Sequence, residues 1–457
     1  MKKLKDSSVL LILAFALILT GISAGTAFGA GYAIIEHSVT GLGNAFAGGA
    51  AGAEDATTIF FNPAGLTRLS TPEFIAAGHI IIPSAEFTNN GSTHVLQPIT
   101  TIPLSGDNGG DGSVTKVVPN IYFAYPLNNR LALGLGVNAP FGLATDYDPG
   151  WVGRYHAIKS ELLTININPT VAVKVIEGLS FGVGIDIQYI DAELSNAIDY
   201  GTIDAIGGFA PLPAGFFGLT PQGDDGTVLV EGDDWSVGYN LGLLYEFTQN
   251  TRIGVNYRSR IDHRLEGDAE FAGTPPALAG LPAFKNTGVE ASVALPETVS
   301  LSAFHRFNKS WAVMGDITWT NWSLFKELRI EFDNPVQPDS VVTTSWDDSF
   351  RYSGGVTYNP MEEWTLRGGI AFDETPIPDA EHRTPRIPGE DRLWVAAGTG
   401  YRFSENLSLD IAYTHIFVDD PKVAKSVTNA EDAVRGGLTG SWDASVDIVS
   451  GQVTYRF

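Results

Sequence analysis

The sequence has no cysteine, and its 28 basic residues face 52 acidic ones, for a formal charge of -24. Without cysteine there is no disulfide scaffold, no thiolate metal site and no N-terminal lipoprotein anchor. The shortage of positive charge excludes a nucleic-acid partner, because phosphates need a basic surface. Past residue 20 no apolar run is long enough to cross a bilayer as a helix. Motifs of chemistry are also missing. There is no His-Glu-x-x-His, no phosphate loop and no Gly-x-Ser-x-Gly elbow. The histidines at 37, 79, 94, 156, 263, 305, 382 and 415 are scattered without metal-ligand spacing. The expectation is a protein that is not an enzyme and holds no metal or cofactor.

What is present begins with a leader. Lys2, Lys3 and Lys5 precede the apolar run Val9 to Thr20, and Ala27-Phe28-Gly29 puts small residues at both specificity positions of a signal peptidase site. Residues 1–29 are therefore expected to be a signal peptide, cleaved before Ala30. The remaining chain is rich in aromatic and β-branched residues. Leu131, Leu133, Leu135 and Val137 alternate with small or polar residues, as do Phe181, Val183, Ile185 and Ile187, and Leu407, Leu409, Ile411 and Tyr413. Alternation of this kind marks strands with one apolar face. A soluble sandwich shows it too.

The rhythm of the connections separates the two. Tight turns are predicted at 127–129, 177–178, 248–250, 308–309, 359–361 and 404–406. Long connections lie at 84–116, 140–157, 193–228, 273–287, 332–343, 374–390 and 418–444. Short and long alternate, as in outer-membrane barrels with short periplasmic turns and long outer loops. Six short and seven long connections join about fourteen strands. The expected fold is all-β: a transmembrane antiparallel β-barrel over residues 71–457, outer-membrane and multi-pass, monomeric and surrounded by outer-membrane lipid. Phe457 closes a final alternating strand, the form of a signal read by the barrel assembly machinery. Residues 30–70 lack alternation and are rich in Gly and Ala, which permits close packing. They are expected to form a plug, or hatch, inside the lumen.

Several local motifs add specificity. They are Gly41-Leu42-Gly43-Asn44-Ala45, Phe61-Asn62-Pro63-Ala64-Gly65, Pro140-Phe141-Gly142-Leu143, Trp151-Val152-Gly153-Arg154-Tyr155, Leu295-Pro296-Glu297-Thr298, Trp319-Thr320-Asn321-Trp322, Trp364-Thr365-Leu366-Arg367-Gly368-Gly369 and Pro385-Arg386-Ile387-Pro388, with Asp391-Arg392. In this order the set resembles the FadL family of long-chain fatty acid transporters, including its aromatic-hydrocarbon branch such as TodX. The resemblance implies that a hydrophobic ligand lands between outer loops, passes to an internal site, and leaves sideways at a kinked third strand when the hatch moves. Asn62, Pro63 and Ala64 match the hatch motif. Gly134, Gly136 and Pro140 interrupt the third strand, marking either a gap in the wall or merely the strand's end.

Residues 205–221 are unusually apolar for an outer loop. Phe209, Leu212, Phe216, Phe217 and Leu219, with Phe141, Leu143 and Trp151, are candidates for a landing groove; the loop would otherwise be a packed lid. Alternation turns Arg258, Arg260, Arg351 and Arg367 inward. Arg351 and Arg367 are candidate carboxylate partners, or partners of lumen acids such as Asp186 and Asp316. Where fatty acid transporters of the family place basic residues, this chain has Asp191 and Glu193. The ligand is therefore a long-chain fatty acid or another hydrophobic small molecule such as an aromatic hydrocarbon. A general porin and a structural barrel remain as other readings.

Overall fold

The structure, a computed structural model, describes residues 31–96, 103–209 and 211–457. The expected signal peptide, residues 1–29, lies outside the described residues. No helix among the described residues is long and apolar enough to cross a membrane.

The chain opens with a string of short turns: α1 (Val39–Leu42), α2 (Gly49–Gly52), α3 (Thr58–Phe61) and a 3-10 turn (Pro63–Arg68). The strands follow. β1 (Glu73–Asn89) and β2 (Lys116–Pro126) lead to a broken stave made of β3 (Leu131–Asn138) and β4 (Gly142–Asp146). β5 (Lys159–Ile176), β6 (Leu179–Asp199) and β7 (Asp225–Thr248) are the longest, with α4 (Tyr200–Ala205) between the last two. Two more broken staves are β8 (Thr251–Arg258) with β9 (Ile261–Ala272), and β10 (Thr287–Leu295) with β11 (Thr298–Arg306). β12 (Trp311–Thr320) carries an outer hairpin, β13 (Glu327–Phe332) and β14 (Ser340–Thr343). β15 (Ser349–Tyr358), β16 (Trp364–Asp373), β17 (Arg392–Arg402), β18 (Leu407–Val418), the short β19 (Lys422–Ala424) and β20 (Thr439–Arg456) complete the wall. Every described pairing between strands is antiparallel. β1 pairs with both β2 and β20, so the sheet closes into a barrel of fourteen staves.

Closure removes free edges, and the alternation then acquires a meaning. Leu133, Leu135, Phe181, Val183, Ile185 and Ile411 are exposed, whereas the residues between them face a filled lumen. An exposed apolar band suits lipid. Aromatic residues flank it, with Phe123, Tyr125, Phe247, Trp364 and Tyr455 near the tight turns and Trp235, Tyr239, Tyr413 and Phe417 toward the long loops. Phe457 extends the outward face of β20 and is anchored by its N–H to the Pro72 carbonyl at 3.0 Å.

All six tight turns stand where expected, but several staves run further than the sequence reading allowed. β1 reaches Asn89, β6 reaches Asp199 and β7 begins at Asp225, because long strands project past the membrane and pair with one another there. The connection expected at 332–343 spans 321–348 and contains the β13–β14 hairpin. One inward assignment is corrected. Arg260 is exposed and ion-paired with Asp262 at 2.6 Å. Arg258, Ser259 and Ile261 are all buried. The register between β7 and the β8–β9 stave slips by one residue there, from Asn240↔Arg258 to Asp233↔Glu266. An extra residue of this kind reverses the faces of everything after it.

Candidate functional site

Residues 31–69 sit inside the barrel. α1 packs on β17, β18 and β20; α2 on β8, β11 and β12; the 3-10 turn on β3, β5, β6 and β7. Asn62 organises this hatch. Its Nδ2 donates to the carbonyls of Ala50 (2.6 Å) and Leu243 (3.0 Å), and its Oδ1 accepts from the Ala64 N–H at 3.0 Å. One side chain thus ties two hatch segments to β7 and caps the 3-10 turn, whose first residue is Pro63. The wall is shaped to match. A Cβ on Gly242 would overlap Asn62 Oδ1, and one on Gly254 would overlap the Ala50 carbonyl. These inward glycines let two backbones approach closely, a role that strand alternation alone does not reveal.

Beside the hatch lies a cavity of about 420 Å³. Its hatch side is Tyr32, Ile34, Ile35, Phe46, Phe60 and Phe61, and its wall side includes Val118, Phe141, Leu143, Leu162, Trp322 and Trp394. Most of that surface is hydrocarbon, so it suits an apolar occupant. A smaller, nearly wholly apolar cavity of about 90 Å³ lies among the outer ends of the strands. It shares Tyr32, Leu143, Leu162 and Ile387 with the first. The charged groups in the lining of the larger cavity are Glu36, Lys116, Glu161, Arg258, Asp316, Arg351, Asp373 and Arg392.

Arg351 donates through Nη2 to the Ala45 carbonyl at 2.9 Å, and its buried Nε has no partner among the described residues. Arg392 reaches the Gly31 carbonyl at 3.5 Å, and its Nε likewise has none among the described residues. Arg258 is ion-paired with Asp186, donates to the Phe60 carbonyl at 3.1 Å and lies over the Phe60 ring. On the hatch, burial raises the pKa of Glu36, opposed by backbone hydrogen bonds and by Arg392. Burial lowers the pKa of His37 to about 3. The His37 ring packs on Phe60, with centroids 3.8 Å apart, and its Nδ1 lies 3.3 Å from Asn120 Oδ1.

The wall opens next to this cavity. β2 pairs with β3 only from Ile121 to Pro126, β3 ends at Asn138, and β4 pairs with β5. Residues 116–119 therefore face 139–142 across a slit with no ladder, which closes further out where Ser113 bridges Thr145 and the Asp146 N–H donates to the Gly112 carbonyl. Gly134 and Gly136 are not part of it, since each is paired on both sides. Their missing side chains make room for Ile59 and Leu66 of the hatch and for Tyr122. Pro140 is at the break itself. There the hatch takes the place of a neighbouring strand: Ile34 N–H donates to the Pro140 carbonyl (2.9 Å) and Gly142 N–H to the Tyr32 carbonyl (3.0 Å). Ala33 and Phe141 face each other between these bonds.

The structure brings some of the sequence candidates together and separates others. Phe141, Leu143 and Arg351 line the larger cavity. Trp151 does not. It is buried in an outer-loop core with Phe87, Tyr147 and Trp442, its Nε1 donating to the Ala157 carbonyl at 2.7 Å. Arg367 lies under the hatch, paired with Asp410 at 2.8 Å and Glu54 at 3.5 Å. Phe217 packs edge to face against Phe209 and Phe216, and Phe209 against Phe284, on the outer loops, and Leu212 and Leu219 sit half-buried in the same loop. None of these five lines either cavity. Tyr32, Glu36, Phe46 and Trp394 were not singled out from the sequence, and Arg392 entered only as part of a motif, without a site role. The hatch aromatics carried a signal, because a disordered tail would not hold so many.

Comparison with known proteins agrees with this arrangement. A family described as outer membrane protein transport protein (OMPP1/FadL/TodX) matches residues 20–457. The chain is 33% identical to a putative outer membrane protein of Neisseria meningitidis serogroup B, over 96% of this chain and 97% of that one. It is 30% identical to the long-chain fatty acid transport protein of an Escherichia coli O6:H1 strain, over 85% and 87% respectively. A crystal structure of a Pseudomonas aeruginosa FadL homologue superimposes with a TM-score of 0.82 at 26% identity, covering 94% of this chain and 100% of that one.

Proposed function

The chain belongs to the OMPP1/FadL/TodX family of outer-membrane transport proteins, and on that premise we propose that it carries long-chain fatty acids through a hatch-gated barrel with lateral exit. It is an outer-membrane β-barrel of a family that transports hydrophobic compounds. The observation that carries the finer reading is the direct bonding of the hatch backbone to the broken third stave at Pro140 and Gly142. The same residues wall the cavity and fill the slit, so the cavity's contents and the exit are governed by one segment.

The choice of a carboxylate ligand rests on Arg351. Its guanidinium holds the Ala45 carbonyl and lies 5.0 Å from the Trp394 ring. Ala45 and Phe46 both have left-handed backbone angles, φ 50° and 55°. Such angles are strained for residues with a Cβ and persist only where the surroundings hold them. A carboxylate entering the cavity competes for Arg351 through stronger, charge-assisted bonds. Release of Ala45 then lets the strained turn relax and the hatch leave Pro140. The relatives named as fatty acid transport proteins support the same ligand class.

The outer cluster of Phe209, Phe216 and Phe217 is proposed as the first contact, since Phe216 is 57% exposed. Equilibrium binding of a labelled long-chain fatty acid and of a neutral hydrocarbon tests the reading. Arg351→Met is expected to weaken the acid by about 10- to 100-fold, the worth of a charged hydrogen bond, with little change for the hydrocarbon. Equal affinity of parent and variant for the acid would remove the carboxylate reading.

A further inference from the structure

The slit has a charged pair at its outer end. Lys116 is the first residue of β2, on one lip. Glu161 lies on β5, where its ladder partner Ala144 belongs to β4, on the other lip. Lys116 Nζ contacts Glu161 Oε1, spanning the lips, and both residues line the larger cavity. Their side chains are partly exposed. Just inward, Val117 and Leu163 are exposed apolar residues that face the lipid band. The level is set by Ile165, four residues inward of Glu161, which pairs with Tyr189, itself the partner of Trp235 in the outer aromatic belt. The pair thus stands on the outer, water side of that belt, from which the long lysine stem can reach the polar head of an amphiphile in the outer leaflet.

The pair is also asymmetric. Glu161 has a second cation, Lys159, at 3.7 Å, and Lys159 is held by Glu193 at 2.6 Å. Among the described residues Lys116 has no acid partner but Glu161. Lys116 can therefore leave Glu161 without stranding the carboxylate, whereas its own charge then needs another anion.

We propose that Lys116 is a specificity-determining residue of the exit, exchanging Glu161 for the carboxylate head of the departing ligand while the alkyl tail passes through the slit into the leaflet. This rests on the fatty acid reading above. Head and tail leave at the depths they occupy in the membrane, and the flexible ammonium stem follows the head without a fixed geometry. A neutral chain gains nothing from the exchange.

The test compares initial uptake of a long-chain fatty acid and of the primary alcohol of equal length. The proteins are the parent, Lys116→Met and Glu161→Gln, each full-length and first shown to form a heat-modifiable barrel. Both substitutions break the ion pair, so a merely structural pair would give both variants the same defect on both substrates. Lys116→Met is expected to slow the acid by up to about fivefold, the scale of a half-exposed ion contact, and to leave the alcohol at the parental rate. Glu161→Gln is expected to carry the acid at or above the parental rate. Parental acid uptake by Lys116→Met overturns the proposal and leaves the transport reading standing, as does an equal loss in both variants. A parent that carries the alcohol but not the acid overturns the carboxylate reading and the proposal together.

Discussion

At the residue scale the hatch depends on few side chains, and Asn62 is the clearest. Leucine has similar bulk, but Asn62→Leu deletes three hydrogen bonds and leaves buried backbone groups unpaired, each costing about 1–3 kcal/mol. The ladder of the wall is untouched. Normal heat-modifiable barrels with raised single-channel leak are expected, and a silent bilayer recording equal to the parent's would contradict that role.

His37 supplies a pH dependence. Its docked pKa is about 3, below the ordinary value of about 6.5, so the docked hatch binds fewer protons than a hydrated one between those limits. Docking is therefore fully supported above about pH 6.5 and weakens as pH falls toward 3. Glu36, with its raised pKa, acts in the opposite sense. Comparison with His37→Gln isolates the histidine. Leak of the parent relative to the variant is expected to grow between pH 7 and pH 5, by up to about 2 kcal/mol of docking energy at 1.36 kcal/mol per pH unit. A constant ratio across that range would refute it.

Elements were legible in proportion to how local their causes are. Each of the six tight turns carries an Asn or a Gly, with Pro360 in one, residues that act within a few positions, and each was placed. Strand ends were not, because β6 and β7 extend outward by pairing with each other and, for β7, with β9, contacts far apart in sequence. Arg260 was misassigned because a single extra residue at the β8–β9 break leaves no mark in composition. The hatch contacts of Gly242 and Gly254 read in sequence as the small face of an ordinary strand. Trp151 shows the limit for loops, since a conspicuous aromatic can as well be a loop's own core. The apolar 205–221 loop remains an outer surface whose cluster touches neither cavity. Replacing Phe216 and Phe217 with Ser is accordingly expected to reduce capture from dilute solution, by about 1–3 kcal/mol per lost contact. Equilibrium binding in the purified barrel is expected to stay at the parental value. Uptake that is parental at every concentration would exclude the loop as a landing surface.

At the scale of the whole molecule the proposed function makes the barrel wall and the hatch one device. A closed sheet has no edge, yet this one is opened at the third stave and the opening is filled by residues 32–34 of the hatch, with Ala33 opposite Phe141. These two residues form a non-hydrogen-bonded antiparallel pair, whose Cα atoms stand about 4.5 Å apart, a spacing that a disulfide spans. The natural chain has no cysteine, so Ala33→Cys with Phe141→Cys gives a single defined cross-link between hatch and exit. The decisive measurement is uptake of a labelled long-chain fatty acid by this double variant, oxidised and then reduced, beside each single variant. Transport is expected to stop on oxidation and to return with reductant, while the single variants ignore both treatments. Transport by the fully cross-linked barrel at the rate of its reduced form would contradict a hatch that must leave the third stave for ligand to exit.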